Sequence, residues 1–132
     1  MTNEEKIAKL MKLTGYKECT CRAWVEFEGK CAYCGEDLIS TAFRYFSSPT
    51  DHILPKAHYP DFEWDVHNSV PSCTLCNSVK NNLDFLMEGE NAEEMLHIKK
   101  KELINRAKAK LEPKIKDRLR FWKGVRDIIL DC

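Results

Sequence analysis

Two Cys-x2-Cys pairs, Cys31/Cys34 and Cys73/Cys76, bracket Asp51-His52 and then Asn68, and Asn77 follows the second pair directly. Two residues between the cysteines of a pair let one tight turn present both sulfurs to one ion. Four thiolates then complete a tetrahedral zinc shell with no position left for water, so such a site is structural rather than catalytic. Gly35, directly after Cys34, suits a knuckle of this kind because glycine takes the positive φ that closes the turn. The polar residues carry a different chemistry. A neutral imidazole takes a proton from water, which makes His52 the candidate general base. One carboxylate and one amide carbonyl are enough protein ligation for Mg2+, which keeps several of its waters; Asp51 and Asn77 supply that pair, and Mn2+ is the other candidate ion. A base beside a hard cation is what hydrolysis of a phosphodiester requires: a deprotonated water, and positive charge against the leaving oxygen.

These residues need elements to position them. Thr2-Asn3-Glu4-Glu5 resembles a capping box opening a helix that runs through Leu13, with Ile7, Leu10 and Met11 on one face and Gly15 at its end. A second short helix is expected over 22–28, burying Trp24, Val25 and Phe27 against the first knuckle. Residues 42–55 are β-prone with turn formers at 47–49 and read as strands meeting in a hairpin. Residues 56–71, with Pro60 and Pro71, read as loop. Ser72 is the expected cap of a helix carrying Asn77 and Lys80 towards Asn82. Asn91 opens a long amphipathic helix to about Leu111, and Pro113 starts another carrying Ile115, Leu119, Trp122 and Ile129. A strand ending at Asp51-His52, a loop with Asn68 and a helix with Asn77 make a β-β-α pocket. The expected class is therefore α+β: a small metal-binding core stapled by zinc and flanked by N- and C-terminal helices. Adjacent strand residues face opposite ways, so Asp51 and His52 both point inward only if the strand bends or bulges there.

At 132 residues the chain is expected to form one domain over 1–132, with the zinc compensating for a modest core. It has no apolar run near the length of a membrane span and no secretory signal, so a soluble, intracellular (cytoplasmic) protein is expected. That compartment and the odd total of seven cysteines favour metal over disulfides. Cys19, Cys21 and Cys132 read as ordinary reduced thiols. Net charge is zero, but it is unevenly spread. Residues 31–84 carry three Lys/Arg against seven Asp/Glu, whereas 97–126 carry twelve against three. The acidic part suits cation binding, and the basic stretch, including Lys99-Lys100-Lys101, suits either a solvated helix face or a phosphate backbone.

Cys-Ala-Tyr-Cys-Gly, Asp-His-Ile-Leu-Pro and His-Asn-Ser-Val-Pro-Ser-Cys-Thr-Leu-Cys-Asn-Ser-Val-Lys together resemble the HNH endonuclease family, of the β-β-α-metal fold, in its zinc-stapled subclass. The resemblance covers about residues 22–84; helices 1–18 and the extension 91–132 lie outside it. It implies a DNA-cleaving enzyme in which His52 is the general base, Asn68 is the central Asn that constrains the loop and orients the base, and Asn77 fills the third position. That position is often His in the family. The Asn variant implies that Asp51 and Asn77 share the divalent ion. Lys80 matches a family lysine lying near the phosphate.

Each residue also has a plainer role. His52 and Asp51 could form a strand-end pair, Asn77 could satisfy backbone in a first helical turn, and Lys80 could be a solvated helix lysine. A non-catalytic zinc module that binds nucleic acid or protein is the competing function; the joint presence of His52, Asp51 and Asn77 separates the two. His58 and His67 read as surface or packing residues, His97 as a solvated helix residue, and Trp24, Trp64 and Trp122 as core. Val125, Ile128, Ile129 and Leu130 either close the core or form a seam with a second copy or a partner protein.

Overall fold

The structure, a computed structural model, describes residues 1–131; Cys132 lies outside the described residues. Helix α1, Asn3–Thr14, starts where Thr2 accepts the Glu5 amide at 3.1 Å and stops at left-handed Gly15. Helix α2, Glu18–Glu26, buries Cys19, Cys21 and Ala23. It begins four residues ahead of the expected start, and Cys19 and Ala23, four residues apart, lie buried on one face. The chain then turns through the first knuckle, where Gly29 takes φ +71° and lies close under the Ile39 side chain, so a side chain there would be strained.

The expected hairpin over 42–55 is half wrong. Residues 42–47 form helix α3, Ala42–Ser47, capped by Thr41, and only Thr50–His52 is strand β1. None of α3 is buried, so its aromatic β-formers pack on no sheet, and the local cap decides the conformation. The partner of β1 is strand β2, Ser69–Pro71, inside the segment expected to be loop. The two pair antiparallel as Thr50↔Pro71, Asp51↔Val70 and His52↔Ser69. That three-residue register is uninterrupted, so no bulge reorients Asp51 and His52.

Helix α4, Thr74–Lys80, is capped by Cys73 rather than Ser72: the Cys76 amide donates to Cys73 Sγ at 3.3 Å. Asn91 caps α5, Ala92–His97, as expected, but the chain kinks at 98–99 before α6, Lys100–Ile129. Pro113 sits inside α6 instead of starting a new helix. A proline there removes one backbone bond and crowds the preceding turn. Ala109, whose carbonyl loses its partner, is exposed, so water can satisfy it, while buried Leu111 and half-buried Ile115 still pack on the core.

The fold is α+β. Its core joins the knuckle and both strands (Tyr33, Leu38, Ile53, Leu54, Val70) to α5 and the first half of α6 (Leu96, Leu103, Ala107, Leu111), with α4 against α6. Beyond Ile115, α6 leaves the core. Leu119, Trp122, Val125, Ile128, Ile129 and Leu130 are all exposed, so these residues do not close the core. Trp64 is also exposed, with Lys17 over its ring, and only Trp24 of the three tryptophans packs against the core. No helix among the described residues is long and apolar enough to cross a membrane.

Candidate functional site

The four cysteines of the two pairs converge. Their sulfurs lie within 4.8 Å of one another, and Cys34 Sγ stands 3.7 Å from Cys73 Sγ. A disulfide would need about 2.05 Å. Zn–S bonds of about 2.3 Å in a tetrahedron set sulfur–sulfur edges of about 3.8 Å, so the spacing fits a four-thiolate zinc site. Local backbone makes the cage. The Gly35 amide closes the first knuckle on the Cys31 carbonyl at 2.9 Å, with Gly35 at φ +78°. The Ala32 amide donates to the Pro71 carbonyl at 2.9 Å, tying this knuckle to the end of β2 and so to the second pair. Cys19 and Cys21 are buried thiols of α2 outside the cage.

A polar cleft of about 250 Å³ opens beside β1 and the C-terminal end of α4, bordered by Thr50, Asp51, His52, Pro55, Lys56, Asn77, Asn81 and Asn82. It brings together Asp51, His52 and Asn77. Both Asp51 and His52 border the cleft although their side chains run to different partners, Asp51 to Tyr33 and Lys80 and His52 to the Glu63 carbonyl. His52, half-buried, places Nε2 2.8 Å from the Glu63 carbonyl. A carbonyl only accepts, so Nε2 carries the proton and Nδ1 is left as the acceptor.

Asp51 is buried and its two oxygens differ. Oδ2 accepts from Tyr33 Oη at 2.5 Å and from Lys80 Nζ at 3.2 Å. Oδ1 has no partner among the described residues, and no unpartnered side-chain oxygen is sealed from solvent, so Oδ1 keeps some contact with solvent, and Asp51 borders the cleft. Burial, and next the Asp51 charge, hold the Tyr33 phenol well above its ordinary pKa, so the hydroxyl stays a donor. The Asn77 side chain likewise has no hydrogen-bond partner among the described residues, and Asn77 lines the cleft.

Asn68 is wholly buried, below the site rather than in it. Its Oδ1 accepts the Leu54 amide at 2.8 Å, and Nδ2 donates to the carbonyls of Leu54 at 3.0 Å and Phe62 at 3.1 Å. One side chain therefore pins both ends of the loop whose Glu63 carbonyl holds His52. Lys80 is also fully buried, with Nζ donating to the His52 carbonyl at 2.8 Å besides its bond to Asp51. With no exposed surface and no place in the lining of the cleft, it offers no charge to solvent there, whereas the resemblance implies a lysine near the phosphate.

Tyr33, Asn81 and Asn82 were missed by sequence reasoning. Tyr33 had a signal, its place between two zinc cysteines. Asn81 ends α4 at φ +46°, ψ −123°, a positive-φ conformation outside the left-handed helical region, and Asn81 and Asn82 both line the cleft. His58 is exposed and lines no site. His67 and His97 pack with ring centroids 4.6 Å apart and planes tilted by 51°, and His97 Nε2 meets Asp65 at 2.7 Å. This cluster latches α5 to the loop rather than leaving His97 merely solvated. Burial raises the Asp65 pKa, but its bonds to His97 and the His67 amide outweigh that and leave the carboxyl below its usual range.

No family model matches the chain. A curated relative, protein ea31 of Escherichia phage lambda, is 46% identical over 48 residues, which is 36% of this chain and 14% of that protein's length.

Proposed function

We propose that this chain is a divalent-metal-dependent HNH-type endonuclease that hydrolyses DNA phosphodiester bonds. The observation that carries the reading is the cleft itself. An imidazole whose Nδ1 has no partner, a carboxylate oxygen without a partner and an amide without a partner belong to residues that border one open recess. Asp51 Oδ1 and the Asn77 carbonyl oxygen are the groups that would hold Mg2+ or Mn2+, and a site with few protein ligands suits an ion that keeps its waters. When bound, such an ion supplies positive charge at the scissile phosphate and the departing 3′ oxygen.

The chain's own residues do the rest. His52 Nδ1 takes a proton from water as the water oxygen attacks phosphorus, and the imidazolium formed keeps its Nε2–H on the Glu63 carbonyl. Asn68 fixes the loop that carries that carbonyl. Lys80 holds the base from behind through the His52 carbonyl. The exposed lysines and arginines of α6 that have no acidic partner, such as Lys101, Lys108 and Lys114, offer a surface for the phosphate backbone. A non-catalytic zinc module would need none of the unpartnered groups around the cleft.

The test is cleavage of supercoiled plasmid by zinc-loaded protein in Mg2+ or Mn2+, with EDTA and His52→Ala as controls. Metal-dependent nicking lost in His52→Ala is expected. Cleavage that survives in His52→Ala, or none from folded protein on duplex, branched or single-stranded DNA, overturns the reading.

A further inference from the structure

The contacts of Asp51 Oδ2 have no place in the reaction described above. Tyr33 lies between the zinc cysteines Cys31 and Cys34 and is 5% exposed, so the cage fixes its ring. Its hydroxyl reaches Asp51 Oδ2 at 2.5 Å, the short range of an O–H donor on an ionised carboxylate. Lys80 Nζ, with no exposed surface, adds a second contact to the same oxygen at 3.2 Å. Oδ1 alone is without a hydrogen-bond partner and is not sealed from solvent, and Asp51 borders the cleft.

Building on the proposed function, we infer that Tyr33 is a positioning residue: with Lys80 it clamps Oδ2, so that Asp51 offers a cation one oxygen only, in an orientation set by the zinc knuckle. A carboxylate held in this way cannot chelate through both oxygens. Ca2+ takes many oxygen ligands and readily accepts bidentate carboxylates, whereas Mg2+ demands octahedral geometry and is content with a single oxygen from each group. The clamp therefore selects the smaller ion. It also links the two metal centres, because the residue that aims the cation's carboxylate is part of the zinc knuckle.

The test is Mn2+ binding to zinc-loaded protein by electron paramagnetic resonance, with Mg2+ and Ca2+ as competitors. Wild type should bind Mn2+, Asp51→Asn should lose that binding, and Tyr33→Phe should weaken it about ten-fold, as expected for loss of a group that orients a ligand. Tyr33→Phe should also gain in Ca2+ competition relative to Mg2+, with zinc content unchanged. Wild-type binding that depends on Asp51 but is unaltered in both respects by Tyr33→Phe overturns the clamp and leaves the nuclease reading standing. No Asp51-dependent Mn2+ binding in wild type overturns both. Should Tyr33→Phe fail to fold, wild type alone decides: Mg2+ should displace Mn2+ at least as well as Ca2+, and the reverse order refutes the clamp.

Discussion

Lys80→Met tests the buried ion pair beneath the site. The substitution keeps most of the apolar stem and removes the ammonium from Asp51, the His52 carbonyl and the face of the Phe85 ring, whose centroid is 5.8 Å from Nζ. Deleting one partner of a buried pair costs about 3–5 kcal/mol, because the other charge is stranded. Here Asp51 is not wholly stranded, since Tyr33 still donates to Oδ2 and Oδ1 reaches solvent. The His52 carbonyl loses a charge-assisted bond but can turn to water in the space left. We therefore expect about 2–3 kcal/mol of destabilisation. For a chain of this size that lowers Tm by roughly 6–15 °C. The assay is thermal and urea unfolding followed by circular dichroism, with zinc content checked so that metal loss does not masquerade as the effect. Asp51→Asn and the double variant complete the cycle, and the double should cost at least about 1 kcal/mol less than the sum of the singles. A Lys80→Met protein within about 0.5 kcal/mol of wild type, or strict additivity in the cycle, refutes the argument that Lys80 is held by Asp51.

Cys73→Ser removes one of the four thiolates of the cage while a serine hydroxyl can still cap α4, so the loss reads out the metal alone and we expect a metal-free, largely unfolded protein; a zinc-free variant that melts like wild type would remove the zinc assignment. Asn68→Ala leaves the Leu54 amide and the carbonyls of Leu54 and Phe62 without a partner, at a cost of about 2–4 kcal/mol, read by urea unfolding; near-neutral behaviour means that the loop is not pinned by this side chain. His52→Ala should lose only about 1 kcal/mol for its bond to Glu63 while cleavage falls at least about 100-fold, read by plasmid nicking; equal losses of fold and activity would make the histidine structural.

The parts of the molecule legible in the sequence are those dictated by local chemistry. Thr2 and Gly15 bound α1 because a hydroxyl cap and a left-handed glycine act within one turn. The two knuckles follow from cysteine spacing, and Asp51, His52 and Asn77 do border one cleft. The elements misread are those decided at a distance. Strand β2 is three residues long and is a strand only because β1 lies beside it. The kink at 98–99 is invisible to periodicity, since Leu96, Lys100, Leu103 and Ala107 keep one face across it. Lys80 lies one turn after Asn77, as a cleft-facing lysine would, yet the ammonium turns inward because a buried carboxylate awaits it; nothing in the linear spacing reveals that Asp51 is on that side.

A sheet of two three-residue strands has no independent stability in water, so its order must come from what is attached to its ends. One end of β2 receives the Ala32 amide from the first knuckle, and the second knuckle begins two residues after β2 and caps α4 through Cys73. Zinc would thus fix β2, β1 by pairing, α4 by its cap, and Tyr33 by its place in the knuckle. Those four elements carry or hold Asp51, His52 and Asn77. The geometry of the cleft is then downstream of the cysteine cage, and partial loss of zinc should disperse the cleft residues before the α5–α6 core of Leu96, Leu103 and Leu111 gives way. Amide exchange measured during chelation tests that order: β1, β2 and α4 should exchange first, and simultaneous exposure of the first half of α6 would show that the cage and core unfold as one unit.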